Sequence, residues 1–386
     1  MASKKGSELK DIMAGIEASV GNVGAKKKPR LMLGNDVVTG DIVSFGVPPI
    51  DAASNVGGHP KGTIVELFGP EGSGKSWVAY KMIAAYQSAG MYAMLLDIEH
   101  AFWRDWIVKA GVNLDRLIVG QDFDSGENAL RYAKEGAESK KIGVIVIDSI
   151  AALLPQAEAD ANLDKNARVG AHAAMMSRCL RQLQVTTGAT DTTLVFINQT
   201  RNKIGVMFGS PEDTPGGKAL KFYAGIRIGL QHLGREKGKV DGEERIVGIR
   251  TKVKFIKNKI GQPFGEDEIV IYQADDINTP MVQLVNLAIR LKVVPGRKSF
   301  YEDDPDKKTF YWKGDDGEIE DTGCKYASDL SEWFEANEMV PKVVGMVVEK
   351  AKAKGIEVPA EVVALAAPAA EADAKEDAPK EAEPQA

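Results

Sequence analysis

The chain has 386 residues, a formal net charge of −6, and hydrophobic and charged fractions of 44% and 27%, which are ordinary values for a globular protein. No run of about 18 consecutive apolar residues occurs, so the sequence predicts no membrane span, and the polar N-terminus predicts no signal region. The two cysteines, Cys179 and Cys324, have no metal-ligand spacing, and we expect reduced thiols in a cytoplasmic protein.

The first element in chain order is a short amphipathic helix, predicted over residues 8–20. It is indicated by apolar residues at helical spacing, namely Leu9, Ile12, Met13 and Ile16. A linker rich in Gly, Lys and Pro follows, and its basic run from Lys26 to Arg30 favours a solvated linker over a DNA clamp. Helix and linker together define a predicted N-terminal segment, residues 1–35.

A core that alternates strands with helices is predicted over residues 36–274. Its strands are expected at the apolar runs Ile64–Phe68, Tyr92–Leu96, Leu117–Val119, Ile142–Ile147, Leu194–Ile197, Ile226–Leu230, Val253–Ile256 and Ile269–Tyr272. Helical patterns lie between them at roughly 76–88, 127–138 and 168–187. Continuous apolar strands that alternate with helices predict an α/β fold with a mostly parallel sheet flanked by helices.

The C-terminal part changes in character after Asp275, where helical patterns alternate with acidic loops. A small C-terminal α/β domain is predicted over residues 275–355, followed by a disordered acidic tail over residues 356–386. From Pro368 onwards the tail has six acidic residues and two lysines, which leaves a charge of only −2 for the rest of the chain. This composition cannot bury enough apolar area to fold, and the tail could compete for a basic DNA site.

A phosphate-binding loop of the form G-x-x-x-x-G-K-[ST] lies between the first predicted core strand and the next helix. Its residues are Gly69, Pro70, Glu71, Gly72, Ser73, Gly74, Lys75 and Ser76. The backbone N–H groups of such a loop, and the helix N-terminus that follows, bind phosphate oxygens. Lys75 would neutralise the β- and γ-phosphates and Ser76 would ligate Mg²⁺, so ATP and Mg²⁺ are the expected cofactors.

Two acidic residues at strand ends complete the predicted hydrolysis site. Asp148 follows the run Ile142–Ile147, at the edge of the sheet where its carboxylate can hold Mg²⁺ through water. Glu99 follows the run Tyr92–Leu96 and could orient or deprotonate the attacking water. On residue chemistry alone, Asp97 competes for this last role.

From about residue 62 to residue 261 the sequence resembles the bacterial RecA recombinases. The similar stretches are Gly69–Ser76, Asp97–Ala101, Val144–Leu153, Phe196–Gln199, Lys203–Gly209, Gly216–Tyr223 and Lys257–Lys259. The last three separate recombinases of this family from other P-loop ATPases. Weaker similarity extends outward to about residues 8 and 300.

The resemblance implies roles for residues at matching positions. Glu99 is similar to the catalytic glutamate of the family, and Gln199 to its γ-phosphate sensor. Lys257 and Lys259 resemble lysines that reach across a subunit interface to the ATP of the neighbouring protomer. Phe222 and the predicted N-terminal helix match interface elements, so the resemblance implies self-association into helical filaments.

The segment from Thr200 to Gly217 combines Gly and Pro residues with cations and apolar side chains, a composition that suits a loop for single-stranded DNA. Its predicted DNA contacts are Arg201 and Lys203 to phosphates, Ile204 as a wedge between bases, and the backbone of Gly216 and Gly217. The resemblance adds residues 155–170 as a first DNA loop. It also adds phosphate-contacting positions at Ser177, Arg181 and Lys218.

Three positions depart from the family pattern. Trp103 stands where the family commonly has an acidic residue near the adenine, Trp106 aligns with the adenine-stacking tyrosine, and Ala174 replaces an arginine. Trp106 can still stack on the base. An insertion around Gly24–Arg30 and the acidic C-terminal loops also differ from typical cellular members, so a cellular and a phage origin both stay open.

The expected function is that of an ATP-dependent homologous recombinase, which forms filaments on single-stranded DNA and pairs it with homologous duplex DNA. Its ATP hydrolysis would depend on DNA. Two alternatives are a ring-forming helicase or repair ATPase on the same core, and a non-catalytic nucleotide-binding regulator of recombination. The stretches Lys203–Gly209 and Lys257–Lys259 argue against the first, and intact Glu99 and Gln199 argue against the second.

Overall fold

The computed structural model describes residues 11–19, 31, 41–160, 170–202, 212–213, 217–240, 243–273, 280–295, 297–299, 308–313, 318–325, 327–354, 356, 358 and 360–366. The chain divides into two compact units, residues 1–41 and residues 42–386. In the first unit, residues 11–19 form helix α1, which confirms this part of the predicted helix, and Ile12 and Ile16 are exposed on it. None of the described helices has the length and apolar composition that a membrane crossing requires.

The second unit contains the strands and the remaining helices. Its described strands are β1 (Ile42–Val43), β2 (His59–Pro60), β3 (Ile64–Gly69), β4 (Tyr92–Asp97), β5 (Leu117–Gly120), β6 (Ile142–Asp148), β7 (Thr193–Gln199), β8 (Arg201–Asn202), β9 (Glu212–Asp213), β10 (Ile226–Val240), β11 (Glu243–Asn258), β12 (Glu266–Tyr272), β13 (Arg297–Ser299), β14 (Lys308–Lys313) and β15 (Ile319–Asp321). Its described α-helices are α2 (Pro48–Ala53), α3 (Lys75–Ser88), α4 (Arg104–Lys109), α5 (Gly126–Glu138), α6 (Gln156–Ala159), α7 (Ala171–Thr190), α8 (Lys218–Tyr223), α9 (Pro280–Arg290), α10 (Ala327–Ala336), α11 (Val340–Ala353) and α12 (Ala360–Ala364).

The central sheet has eight strands in the order β12-β11-β10-β3-β7-β6-β4-β5. The six strands from β10 to β5 are parallel to one another, and β11 and β12 are added in antiparallel fashion. Every strand of this sheet contains one of the predicted apolar runs, and the predicted α/β fold with a mostly parallel sheet is confirmed. Because parallel strands share one direction, β3, β4, β6 and β7 all end at the same edge of the sheet.

Strands β10 and β11 are much longer than predicted, with 15 and 16 residues. On β10, the apolar run marks the part of the strand whose alternate side chains are buried. Beyond Leu230, β10 continues with polar residues that are largely exposed. Val240 pairs with Glu243, and the intervening dipeptide Asp241-Gly242 is one that favours a two-residue hairpin turn.

Two hydrophobic cores cover the two faces of the sheet, because successive side chains of a strand point to opposite faces. On β6, Val144 and Val146 belong to the core that includes α3, whereas Ile145 and Ile147 belong to the core that includes α5 and α7. Each fully buried side chain of this kind stabilises the fold by about 1.5–3 kcal/mol. The sheet therefore provides a rigid frame for residues at its edges.

A third core lies in the C-terminal part, where β14 packs with helices α9, α10 and α11. Ile356 and Val362 are buried in this core, and α12 contacts α9 and α11. Residues 360–364, which lie within the segment expected to be disordered, form helix α12, and Val362 anchors this helix to the core. The disorder expected for residues 356–386 as a whole stays a prediction. The boundary expected between residues 274 and 275 stays a prediction.

Candidate nucleotide site and DNA-contact surface

The predicted phosphate loop lies where β3 ends and α3 begins. Gly69 is the last residue of β3 and Lys75 is the first residue of α3, so the loop leads directly into a helix N-terminus. Gly74 has a φ of +86°, and a Cβ atom at this position would lie 2.1 Å from Ile271 Cδ1. Both the backbone conformation and the close approach of β12 therefore require glycine here.

The amine of Lys75 is held inside this loop. Its Nζ donates to the carbonyl oxygens of Gly69 at 3.1 Å and Pro70 at 2.7 Å, and Ser73 Oγ donates to the same Pro70 oxygen at 2.8 Å. Burial lowers the pKa of Lys75, an effect opposed by Asp148 and other nearby carboxylates. Because the present acceptors are neutral, an anionic phosphate oxygen would be a stronger partner for this ammonium group.

Ser76 and Asp148 provide oxygen ligands beside the loop. Ser76 Oγ donates to Asp148 Oδ2 at 2.8 Å, and Asp148 is only 5% exposed. Burial raises the pKa of Asp148 to about 6, although the hydrogen bond from Ser76 acts in the opposite direction. Hydroxyl and carboxylate oxygens suit Mg²⁺. Within the described ranges, no group of three or more His, Cys, Asp and Glu side chains could hold a metal ion, so the predicted Mg²⁺ depends on these two residues and on phosphate oxygens.

Glu99 lies next to Asp148, because the backbone N–H groups of Ile98 and Glu99 donate to Asp148 O at 2.7 and 3.3 Å. Its Oε1 accepts hydrogen bonds from Ser149 Oγ and from Gln199 Nε2, the latter at 3.3 Å. The structure thus brings Glu99, Asp148 and Gln199 together at the edge where β4, β6 and β7 end.

Asp97, which competes with Glu99 in the sequence, has a structural role. It is buried, and its two carboxylate oxygens accept hydrogen bonds from Ala101 N at 2.9 Å, Phe102 N at 3.1 Å and Gln121 Nε2 at 2.6 Å. These bonds close the loop that follows β4. The arrangement favours Glu99 as the acid available to a reacting group.

These groups line a cleft of about 430 Å³. The residues of the predicted phosphate loop that line it are Glu71, Gly72, Gly74, Lys75 and Ser76. Trp106 of α4 also lines the cleft, in agreement with a base-stacking role, whereas Trp103 is 69% exposed and is not one of the lining residues.

Sequence reasoning missed several residues of this cleft, namely Trp77, Ser149, Ile249, Ile271 and Gln273. Trp77 directly follows the phosphate loop, and Ser149 directly follows Asp148, so proximity to these predicted residues could have indicated both. Ile249, Ile271 and Gln273 come from β11, β12 and the residue after β12. Nothing in their local sequence indicates that these strands close over the phosphate loop.

Lys257 lies away from this cleft, toward the opposite end of the sheet. It pairs with Arg227 on β10, which in turn pairs with Glu66 on β3, three residues before Gly69. At about 3.3 Å per residue, Lys257 is therefore about 10 Å below the phosphate loop along the sheet, and two strands to its side. Lys259 lies still further toward this amino end, where its N–H donates to Gly225 O at 3.1 Å.

The side chain of Lys257 is directed to helix α8. Its Nζ donates to Lys221 O at 2.7 Å and to Phe222 O at 3.0 Å, which are among the last carbonyls of that helix. Burial lowers the pKa of Lys257, and the neighbouring cations Lys259 and Arg227 lower it further. Phe222 is 71% exposed, and with Lys259 it lines a second cleft of about 480 Å³.

Part of the predicted DNA surface lies on α7 and α8. Ser177 and Arg181 are one helical turn apart on α7, and Arg181 Nε donates to Ser177 O at 3.3 Å. Lys218 begins α8 and is exposed. Gly217 precedes it with a φ of +70°, and a Cβ atom there would lie 2.9 Å from Ala173 Cβ, so the start of α8 packs closely against the first turn of α7.

The other predicted DNA contacts lie wholly or partly outside the described residues. Lys203, Ile204 and Gly216 fall outside them, as do residues 161–169 of the first predicted DNA loop. Arg201 is described only through the backbone of β8, which pairs with β9. The DNA contacts of these residues stay predictions.

Comparison with known proteins gives consistent matches over most of the chain. A family model described as the RecA N-terminal domain matches residues 8–278. Protein RecA of Bacteroides thetaiotaomicron is 42% identical over 302 residues, which cover 78% of this chain and 88% of the relative. Protein RecA of Porphyromonas gingivalis is 43% identical over 69% of this chain and 76% of the relative, and that of Streptococcus gordonii is 38% identical over 76% and 74%.

Proposed function

Because the chain belongs to the RecA family and is a recombinase of DNA repair and recombination, we propose that it hydrolyses ATP when bound to single-stranded DNA. We further propose that it assembles into helical filaments, which pair the bound strand with homologous duplex DNA. A cytoplasmic location belongs to this proposal, since Cys179 and Cys324 form no disulfide and would stay reduced there.

The position of Glu99 carries the proposal. Its carboxylate lies beside Asp148 and shares one cleft with Lys75, and hydrogen bonds from Ser149 and Gln199 fix its orientation. A water molecule between this carboxylate and a γ-phosphate would lose its proton to Glu99 as it attacks phosphorus. Lys75 would exchange its neutral carbonyl partners for phosphate oxygens and would stabilise the charge that develops on them.

The residues present suit a magnesium ion bound with the nucleotide. Ser76 Oγ and Asp148, which are 2.8 Å apart, would hold it, Asp148 through a water molecule. Such an ion supplies positive charge that neutralises the phosphate oxygens during displacement.

Gln199 is suited to couple the nucleotide to DNA. Its side-chain amide donates to Glu99, and the chain passes from this residue directly into the segment predicted to contact single-stranded DNA. A γ-phosphate that competes with Glu99 for this amide would shift the first residue of that segment. DNA held by the segment would, in turn, favour the same position of Gln199.

Head-to-tail assembly is supported by the separation of Lys257 from the cleft of its own protomer. A neighbouring copy could place its cleft against the amino end of this sheet, where Lys257 and Lys259 would stabilise the transition state of the neighbour's ATP. Such a contact joins two different surfaces, and successive copies form an open helical array when the rotation between them does not close into a ring. The exposed Ile12 and Ile16 of α1 offer a second contact to the adjacent copy.

The proposed DNA contacts use cations on the surface of α7 and α8. Ser177, Arg181 and Lys218 would bind phosphates there, which makes the affinity fall steeply with salt concentration. Arg201, Lys203, Ile204, Gly216 and Gly217 would complete the site for single-stranded DNA.

The test of this function measures ATP hydrolysis with and without single-stranded DNA. We expect a sharp rise in turnover with DNA, and we expect Glu99→Gln to abolish turnover while ATP still binds. Hydrolysis that is indifferent to DNA would contradict the proposal. Retained hydrolysis in Glu99→Gln would instead mean that another residue is the base.

Electron microscopy with DNA and a non-hydrolysable ATP analogue separates the proposal from its main alternative. Helical filaments are expected. Closed hexameric rings would favour a ring helicase, because such rings place each nucleotide between subunits without an open end.

A further inference from the structure

Lys109 joins two elements of the nucleotide cleft that are far apart in the sequence. Its Nζ lies 5.7 Å from the centroid of the Trp106 ring, and it also donates a hydrogen bond to the backbone carbonyl of Gln273. Trp106 belongs to α4 and Gln273 follows β12. A single ammonium group thus connects the predicted base-stacking ring to the residue that follows the strand packed against the phosphate loop.

Trp106 and Gln273 both line the cleft that contains Lys75 and Ser76. The Trp106 ring is half-buried and packs against the hydrophobic core, so one side of it is fixed. The backbone of Gln273 is fixed as well, because its N–H donates to Val247 O at 2.8 Å and its carbonyl accepts from Lys109. Its side-chain amide has no hydrogen-bond partner among the residues that the structure describes, and is therefore available to a ligand.

The cation beside the Trp106 ring and the side-chain amide of Gln273 would each affect how a nucleobase binds. A cation that rests on an indole ring restrains it, and a restrained ring loses less freedom when a base stacks on it. A carboxamide carries a donor and an acceptor side by side and can rotate to exchange them. It can therefore pair with the adenine edge, which offers an amino group and a ring nitrogen, or with the guanine edge, which offers a carbonyl oxygen and a ring N–H.

We propose that Lys109 is a positioning residue that holds Trp106 and the segment of Gln273 as the two sides of a purine site, and that the Gln273 amide sets the base selectivity. This inference rests on the proposed nucleotide function and makes it more specific. It assigns to the cleft a tolerance for both purine nucleoside triphosphates.

The first experiment compares the dissociation constants of ATP, GTP and inorganic tripolyphosphate for the full chain, with tryptophan fluorescence as the readout. Tripolyphosphate reaches the phosphate loop but has no base. Lys109→Met should weaken ATP and GTP binding by about three- to fivefold and leave tripolyphosphate binding unchanged. The KM for ATP should rise by the same factor with kcat unchanged. Lys352→Met, at an exposed position of α11, is the matched control and should change none of these values.

The binding of tripolyphosphate separates a failure of the positioning role from a failure of the proposed function. An equal loss for tripolyphosphate in Lys109→Met would show a general disturbance of the fold and would overturn the positioning role, as would unchanged ATP binding. A wild-type chain that binds neither ATP nor tripolyphosphate would overturn the proposed function itself.

The second experiment changes the amide alone. Gln273→Glu keeps the backbone carbonyl that Lys109 contacts, but its carboxylate only accepts hydrogen bonds. Guanine presents two adjacent donors on its pairing edge and adenine presents one, so the ratio of ATP to GTP affinity should shift toward GTP by about tenfold. The wild-type chain should bind the two nucleotides within about fivefold of each other. An unchanged ratio in Gln273→Glu, or strong rejection of GTP by the wild-type chain, would overturn the assignment of selectivity to Gln273.

Discussion

The two ends of the central sheet differ in how their polar groups are satisfied. At the carboxyl end, Asp148 and Glu99 are joined to neighbouring side chains by hydrogen bonds within one protomer. At the amino end, Lys257 donates to backbone carbonyls of α8, Lys259 lines an open cleft, and Phe222 exposes most of its ring. The first end forms a nucleotide cleft within one chain, whereas the second is a surface that suits a partner molecule. Nucleotide binding and nucleotide turnover should therefore be separable properties.

The largest effect is expected where a substitution disrupts the carboxyl end itself. Lys75→Met removes the ammonium group that the loop carbonyls hold, and both ATP binding and DNA-dependent hydrolysis should fall, hydrolysis by about 10³-fold or more. Equilibrium binding of ATP and steady-state turnover would be measured on the same preparation. Lys141→Met, at an exposed position, is the control. Normal ATP binding in Lys75→Met would contradict the site.

A smaller effect, confined to turnover, is expected at the amino end. Lys257→Met should leave ATP binding by the isolated protomer unchanged and lower DNA-dependent hydrolysis by about 10²-fold. Loss of its contacts with the last carbonyls of α8 should also cost up to about 1 kcal/mol of stability, seen as a lower Tm.

Mixing the two variants distinguishes a trans lysine from a local defect. A Lys257→Met protomer retains an intact cleft, and a Lys75→Met protomer retains intact lysines, so a random mixture should recover about a quarter of the wild-type turnover. Turnover that stays at the level of the separate variants would overturn the assignment of Lys257 to the neighbour's site.

The smallest effect is expected on the free energy of unfolding alone. It concerns His59, a buried side chain near the amino end of the sheet that stays neutral in the folded protein. His59 packs between Phe45 and Tyr86, whose Oη donates to Thr193 at the start of β7, and burial lowers the pKa of His59 from 6.5 to about 4. The unfolded chain takes up the proton at the higher pH, so the free energy of unfolding should fall as pH falls from 6.5 to 4. By about pH 5.5 the loss should be about 1 kcal/mol.

Urea denaturation at two pH values, about 7 and about 5.5, tests this linkage. His59→Leu should remove this contribution to the pH dependence, whatever its effect on absolute stability. His100→Gln changes an exposed histidine and should keep the dependence. An identical pH dependence in wild type and His59→Leu would show that other groups are responsible.

Structural features that depend on residues close together in the chain could be predicted from the sequence. The sheet was predictable because strands buried on both faces are continuously apolar, as Ile142–Ile147 is. The phosphate loop was predictable because all of its chemistry lies within Gly69–Ser76. The exposed parts of β10 and β11 were not, since their polar residues carry no apolar pattern and the turn dipeptide Asp241-Gly242 was the only local signal.

Other features arise only from contacts between distant segments. Asp97 and Glu99 are both acids at the end of the same strand, and hydrogen bonds to Ala101, Phe102 and Gln121 separate their roles. Gln273 enters the cleft because Ile271 of β12 packs against Gly74 of the phosphate loop, a contact that no spacing in the sequence reveals. For the same reason, burial of Ile356 and Val362 against α9 and α11 escaped a prediction based on composition.

The opposite placement of cleft and lysines gives the proposed filament a direction. In any chain of protomers joined head to tail, one terminal protomer has a cleft that no neighbour covers, and the other has lysines that serve no nucleotide. A filament of n protomers then contains n − 1 complete sites. ATP bound in the uncovered cleft would not be hydrolysed, whereas ATP in the interior sites would be. The terminal protomers at the two tips would therefore stay bound to the filament for different times. Protomers would consequently be added and lost at different rates at the two tips. The direction of this difference is set by the orientation of the central sheet in each protomer.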